Sequence, residues 1–503
     1  MFPRPANRLL ILEPQAVVED WSAACWRRRL PALSSIGAGS ADASKFVWLK
    51  HVVSRPKIRI STRGAALLLD PTFLFKPTGF AWMKKRLNMP CRACGEEAVE
   101  EFLDLGDQPH CNRLIPPGLA DRREPRFPLR VGYCHNCTLV QIDHTIPKES
   151  MFSDYPYVSG TTKTLVEHFR RTAERLVAAY RLDESDLVVD IGSNDGTWLK
   201  QYRSFGVRTV GVEPAANVAA LAKEAGVETV VRFFNEETAD LVLEQYGRAS
   251  LITAAGVFFH LEELHGVVEG VKKLLKPDGV FCVQAIYLGG MIDNTAFDQI
   301  YHEHLCYYTL KSIEALFAVH GLECFDVRLV PVHGGSLEVH VGRNGAHPIA
   351  HSMAEFRKRE SERGYGEFVT YVKFAENVRR LQRELLALLR QFVAAGKTIY
   401  AYGAPAKGAT LLNSFGIDTS LVSLAVEKSS LKFGLLIPGS RIPIVDEVTV
   451  NPPDAYLLLA WNFIDEIMEK ERPYLEGGGA FIVPVPVLRV LTIADLEKAQ
   501  VHA

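Results

Sequence analysis

From residue 187 onward, short apolar runs alternate with stretches whose apolar positions recur every three to four residues. LVVDIG, VRTVGVEP, SLITAAGV, GVFCVQAI and GGSLEVHVG read as strands across 187–345. The helical period between them predicts an α/β fold built on a doubly wound parallel sheet. A helix is expected just ahead of it, over 165–180. A long charged helix is expected over about 354–395, where Leu381, Leu385, Leu386, Leu388 and Leu389 form an apolar stripe suited to bridging two domains. After it, TIYAYGAPAKGATLLN reads as strand, tight turn and helix. SLAVEKS, DAYLLLA and AFIVPVP then read as further strands of a second, Rossmann-like α/β domain.

Residues 1–82 hold neither period. They carry about seven more basic than acidic groups, including the run Arg27-Arg28-Arg29. Met83 then opens a sequence that reads like a start of its own. Three readings stand: a segment translated from upstream of a start at Met83 or Met89, a loosely ordered extension, or a transit-like arm. The expected organisation is an extension over 1–82 and a small cysteine-bearing lobe over 83–150. A first α/β domain over 151–350, a bridging helix over 351–395 and the second α/β domain over 396–503 complete it.

A chain of 503 residues is too long for one core. Its 48% hydrophobic and 23% charged residues are ordinary for a globular protein. A net charge of −2 gathers neither nucleic acid nor an anionic membrane, and neither is expected as a partner. No apolar run approaches the roughly 20 residues of a membrane span, and 1–12 lack the features of a signal peptide. Nine cysteines, an odd number in a long chain, point to a reducing compartment, so a cytoplasmic location is expected.

Four of those cysteines change the picture. Cys91 and Cys94 in PCRACG, and Cys134 and Cys137 in GYCHNCTLV, form two C-x-x-C pairs. Each pair aims two thiolates at one ion, and together they complete a tetrahedral zinc shell with no position left for water. The metal is therefore expected to be structural. His135 lies between the second pair, but the all-cysteine set is the simpler one.

The run VVDIGSNDGTWL places Asp190 at the end of a buried strand and a tight turn after it. A dinucleotide fingerprint would read G-x-G-x-x-G, so that backbone amides approach a diphosphate. Here Gly192, Asn194, Asp195 and Gly196 put an acid inside the turn, which suits a cationic methionine moiety better. The next strand ends in VGVEP, where Glu213, followed by Pro214, is placed to accept from both hydroxyls of a ribose.

In IYHEHLCYYTL, Tyr301, His302, Glu303 and His304 are consecutive. Forming an enolate needs a base near neutral pKa and a donor for the developing oxyanion. Histidine supplies the first without much perturbation, and Glu303 can orient it. Lys407, between Gly403 and Gly408, has two readings: it meets a phosphate, or it is a solvated lysine on a tight turn. The spacing is not that of a P-loop.

Taken together, these residues resemble the NDP-sugar C-methyltransferases that act on TDP-4-keto-deoxysugars. The similarity spans about 90–490 and includes both cysteine pairs, LGDQPHCNRLI, YPYVSGTT, VVDIGSNDGTWL, GVEPAANVA, GVFFHLEEL, YHEHLCYYTL, GGSLEVHV and GAPAKGATLLN. The resemblance implies an S-adenosylmethionine-dependent, class I methyltransferase with a structural Zn2+ and a nucleotide-sugar substrate, TDP-linked, held between domains. It implies His304 as the base at C3, with Tyr301, Glu303, Tyr157 and His260 lining the sugar pocket and Ala255 lining the cofactor. Departures at YVSGTT, Cys111 and GVFFHL border that pocket and bear on which sugar is used. Rival readings are an O- or N-methyltransferase, a sugar-nucleotide-binding protein without activity, and a nicotinamide oxidoreductase, the last disfavoured by the missing diphosphate fingerprint. A monomer or small homo-oligomer is expected.

Overall fold

The computed structural model describes residues 85–501 apart from 88, 156 and 333. The expectations for 1–82 lie outside the described residues. The described chain belongs to one compact unit, Phe80–Ala503.

The strands, in chain order, begin with β1 (Val99–Gln108), β2 (Phe127–Cys134) and β3 (Val140–Ile142). The central region adds β4 (Leu187–Ile191), β5 (Arg208–Val212), β6 (Thr229–Val230), β7 (Ala249–Ala255), β8 (Leu275–Ile286), β9 (Cys306–Tyr307), β10 (Leu322–Val330) and β11 (Ser336–Arg343). The last region holds β12 (Ile399–Tyr402), β13 (Leu424–Glu427), β14 (Ile444–Asp446), β15 (Ala455–Leu458), β16 (Ala480–Val483) and β17 (Arg489–Leu491).

They form three sheets. The central one has the order β10-β11-β8-β7-β4-β5-β6. Its inner strands are buried on both faces, as in Leu187–Ile191, so they read as continuous apolar runs. The chain leaves β4 toward β5 and β6 on one side and returns to β7 and β8 on the other. That reversal opens a crevice at the carboxyl end of β4, where open α/β sheets bind ligands.

Two expectations need correction. The sheet is not wholly parallel: β11 runs antiparallel to both β8 and β10. A five-residue connection, 331–335, is too short for a crossover and permits only antiparallel neighbours; Gly334 and Gly335 turn it with φ of +83° and +112°. β10 itself was missed, because its mixed exposure blurs the apolar run. The bridging helix is two helices, His351–Glu362 and Phe368–Ala394. Between them Gly364 takes φ +67°, which ends the first helix. The leucine stripe survives in the second, where Leu381, Leu385 and Leu389 are buried.

The first sheet, β1-β2-β3-β9, borrows its last strand from the central region, with Val140 paired to Tyr307 and Gln141 to Cys306. The third sheet, β14-β13-β12-β15-β16-β17, is parallel except at β17. It is fixed to the central domain by Trp461, whose indole N–H donates to Asp298 Oδ2 at 2.6 Å, and by stacking of Phe297 on Phe415. None of the described helices is long and apolar enough to cross a membrane.

Candidate active site

The turn after β4 has the backbone its glycines foretell. Gly192 and Gly196 have φ of +68° and +71°. A Cβ on Gly192 would stand 2.4 Å from Val257 Cγ2, so no side chain fits there. Asn194, at φ +51°, is a residue type that tolerates this conformation, and it uses its side chain as a clamp. Its Oδ1 accepts from Ser159 N at 2.9 Å and its Nδ2 donates to Tyr157 O at 3.0 Å. The tyrosine segment is thereby tied over the turn.

Glu213 stands at the end of β5, buried, with Oε2 accepting from Asn194 N and Oε1 from Ala215 N, both at 2.9 Å. Burial raises its pKa and these two N–H donors oppose the rise. Each carboxylate oxygen accepts a second bond in the ordinary way, which is the donor–acceptor pattern that a ribose diol fits. Asp190 and Asp195 face elsewhere. Asp190 accepts from Thr253 Oγ1 at 2.6 Å, and burial, with Glu213 nearby, pushes its pKa up to about 7. Asp195 accepts from Thr197 N and Oγ1.

The histidine cluster lies between β8 and β9. His304 donates Nδ1–H to the Gln299 carbonyl at 2.8 Å, which fixes the tautomer and leaves Nε2 as the basic nitrogen. Its ring packs 3.8 Å from that of Tyr301 and 4.5 Å from that of Phe259, centroid to centroid. His260 donates Nδ1–H to the Glu303 carbonyl at 2.5 Å, and burial lowers its pKa. His302 turns the other way, with Nε2 bonded to Pro128 O at 3.2 Å.

Glu303 is gripped from the first lobe. Asn112 Nδ2 donates to its Oε1 at 2.7 Å and His110 Nε2 stands 3.2 Å from the same oxygen. Burial opposes its ionisation, but His110, His260 and Asn112 outweigh burial and lower its pKa.

A cavity of about 820 Å3 joins these parts. Of the expected residues, Tyr157, Gly192, Asn194, Glu213, Pro214, Ala255, His260 and His304 line it. Asp190, Asp195, Gly196, Tyr301 and Glu303 stand behind its wall. Lys407, left between two readings by the sequence, is on the wall, as are Lys148, Tyr155, Gln299 and Asn462, to which the sequence assigned nothing. Tyr155 could have been found, since it shares the YPY segment with Tyr157. Its hydroxyl is 3.5 Å from Glu303 Oε2.

The four cysteines of the first lobe bring their sulfurs within 4.8 Å of one another. Cys91 and Cys137 are 3.4 Å apart, Cys94 and Cys134 3.6 Å. Tetrahedral zinc with bonds of about 2.3 Å puts its sulfurs roughly 3.8 Å apart, so the set fits the ion. The thiols also need it. Hydrogen bonding to Cys137 and Cys91 lowers the pKa of Cys134, while Cys134, with burial, raises those of Cys91 and Cys137. A cation among them offsets the repulsion between neighbouring thiolates. His135 points away, to Glu100 at 2.8 Å.

Three family descriptions match the chain: the proposed zinc binding domain over 91–152, a methyltransferase domain over 165–327 and a C-methyltransferase C-terminal domain over 331–486. The C-methyltransferase NovU of Streptomyces niveus is 38% identical over 405 residues, covering 80% of this chain and 96% of that protein. Among solved structures, a methyltransferase in complex with the Haloferax volcanii activator Trm112 is 17% identical, covers 37% of this chain and 94% of that one, with a TM-score of 0.30. The CcbJ methyltransferase of Streptomyces caelestis is 16% identical, covering 35% and 89%, with a TM-score of 0.28. Overlaps of that size carry no argument.

Proposed function

The chain belongs to the S-adenosylmethionine-dependent C-methyltransferases, and from that premise we propose that it methylates C3 of a nucleotide-linked 4-keto-deoxysugar, TDP-linked, with His304 as the base. The observation that carries this reading is the tautomer of His304. Its Nδ1–H is committed to the Gln299 carbonyl, and the ring stands in the wall of the cavity that Glu213 also lines. A neutral imidazole with a basic Nε2 takes up a proton at neutral pH.

The ketone at C4 makes the C3 hydrogen acidic. His304 Nε2 removes that proton, and the C–H electrons pass into an enolate whose charge rests on the ketone oxygen. His260, Tyr155 and Tyr157 form the polar wall around the sugar. The phenol of Tyr155 is held neutral by burial, with Glu303 adding to the effect, and so remains a donor. Glu303 carries no proton in this scheme. Its carbonyl holds His260 and its carboxylate ties the loop to Asn112 and His110. Glu213 and the turn Gly192–Asn194 would hold S-adenosylmethionine, which when bound supplies the electrophilic methyl group. Zinc would be held by Cys91, Cys94, Cys134 and Cys137, a filled shell that serves structure.

The test is proton exchange in deuterium oxide without S-adenosylmethionine. The enzyme is expected to wash deuterium into C3 of a TDP-4-keto-deoxysugar, and His304→Asn to abolish the exchange. Unchanged exchange in His304→Asn would remove His304 as the base.

A further inference from the structure

Tyr155 and Tyr157 line the cavity from a segment whose backbone is held by side-chain amides. Asn217 takes both backbone groups of Tyr155: its Oδ1 accepts from Tyr155 N at 3.1 Å and its Nδ2 donates to Tyr155 O at 2.8 Å. Asn194 repeats the arrangement further along, with Tyr157 O and Ser159 N. Each amide offers the segment one donor and one acceptor, as a neighbouring strand would. Just beyond, the chain lies hard against the turn after β4, since a Cβ on Gly160 would stand 2.5 Å from Asp195 Oδ2.

The two asparagines reach out from linked bases. Asn194 belongs to the turn after β4, and Asn217 is the second residue of the helix Ala216–Glu224, which follows β5. Glu213 stands between them, and the N–H groups it holds are those of Asn194 and Ala215. One carboxylate, the group that fits a ribose diol, thus fixes both bases. At the far end the Tyr155 hydroxyl is 3.5 Å from Glu303 Oε2. Phe152 bridges Tyr155 and His260, with ring centroids 5.6 and 5.2 Å away. Both bonds of Asn217 are exposed, so water competes for them and the latch opens at low cost. Latched and unlatched are the two states that a ligand on Glu213 can bias.

We infer that Asn217 is a positioning residue, which latches Tyr155 against the sugar when the cofactor site is filled and so couples the two sites. This rests on the cofactor and nucleotide-sugar readings and adds the link between them: the sugar nucleotide binds more tightly once the cofactor is seated. Asn217 itself lies outside the cavity lining, so its loss leaves the cofactor's own contacts in place.

The experiment is calorimetric titration of the full chain with a panel of TDP-4-keto-deoxysugars, with and without saturating S-adenosylhomocysteine, in wild type, Asn217→Ala and Asn217→Asp. In wild type, S-adenosylhomocysteine is expected to tighten the sugar nucleotide about tenfold, an ordinary size for such a coupling. Asn217→Ala should cut the coupling to about twofold or less, with S-adenosylhomocysteine alone binding within about threefold of wild type. Asn217→Asp keeps the acceptor for Tyr155 N and loses the donor, and should retain a coupling of about threefold. The helix dipole favours an acid in the first turn, so the melting temperature of Asn217→Asp should hold or rise while its coupling falls. A merely structural role would move the two together. Undiminished coupling in Asn217→Ala overturns the inference, as does a wild type whose sugar affinity ignores S-adenosylhomocysteine. If wild type binds no sugar of the panel under either condition, the nucleotide-sugar reading fails, and this inference fails with it.

Discussion

His302 and His304 are two residues apart and have opposite physics. His304 faces the cavity, whereas His302 packs into the seam with the first lobe, against Phe127 and His144, and burial holds its pKa at about 4. The unfolded value is 6.5, so between the two the unfolded chain binds more protons and stability rises with pH. His302 therefore stabilises the fold fully above about pH 6.5, and that share is lost as pH falls toward 4. From pH 7 to 5 its part is about 2 kcal/mol. Urea midpoints at the two pH values measure it, and His302→Phe should shrink the difference by about that amount. An identical difference in the variant would show that His302 is not the group responsible. At this scale the sequence made the YHEH cluster legible but not its facing. Glu303 finds its partners at His110 and Asn112, about 190 positions away, and no local pattern announces such a contact.

Among elements, the strand-turn-helix at β4 was the most legible, because a buried apolar run, two glycines and a strand-end glutamate each demand the same geometry. The antiparallel hairpin of β10 and β11 was not, since the half-exposed β10 lacks a clean period. Nor was the helix break, where one glycine interrupts an otherwise continuous stripe. The segment after β1 gained a role only in three dimensions. It carries Asn112 across to Glu303, and loss of that donor leaves the buried carboxylate oxygen to His110 alone, at a cost of about 1–3 kcal/mol. Asn112→Ala is expected to lower kcat at least tenfold with zinc content unchanged, as read by steady-state kinetics and metal analysis. Full turnover in Asn112→Ala would show that the contact only packs the lobes.

For the whole molecule, the zinc lobe is part of the candidate site's frame. β9 completes its sheet, and the same lobe holds Glu303, whose carbonyl holds His260. Cys91→Ser should lower zinc occupancy and the melting temperature, and turnover should fall with the fraction of metal lost. Activity that persists after verified loss of zinc would separate the lobe from the chemistry. The C-terminal domain reaches the cavity wall with Lys407, Asn462 and Phe463, and docks on the central domain through Trp461. Three domains were legible as three patterns, but their meeting at one cavity depends on contacts between distant segments.

The central claim is that a methyl group is transferred to carbon. Incubation with methyl-13C S-adenosylmethionine and a panel of TDP-4-keto-deoxysugars, read by carbon-correlated NMR, tests it most directly. The account predicts a new methyl signal coupled to the ring carbon beside the ketone, at C3. A methyl found on oxygen or nitrogen would contradict it.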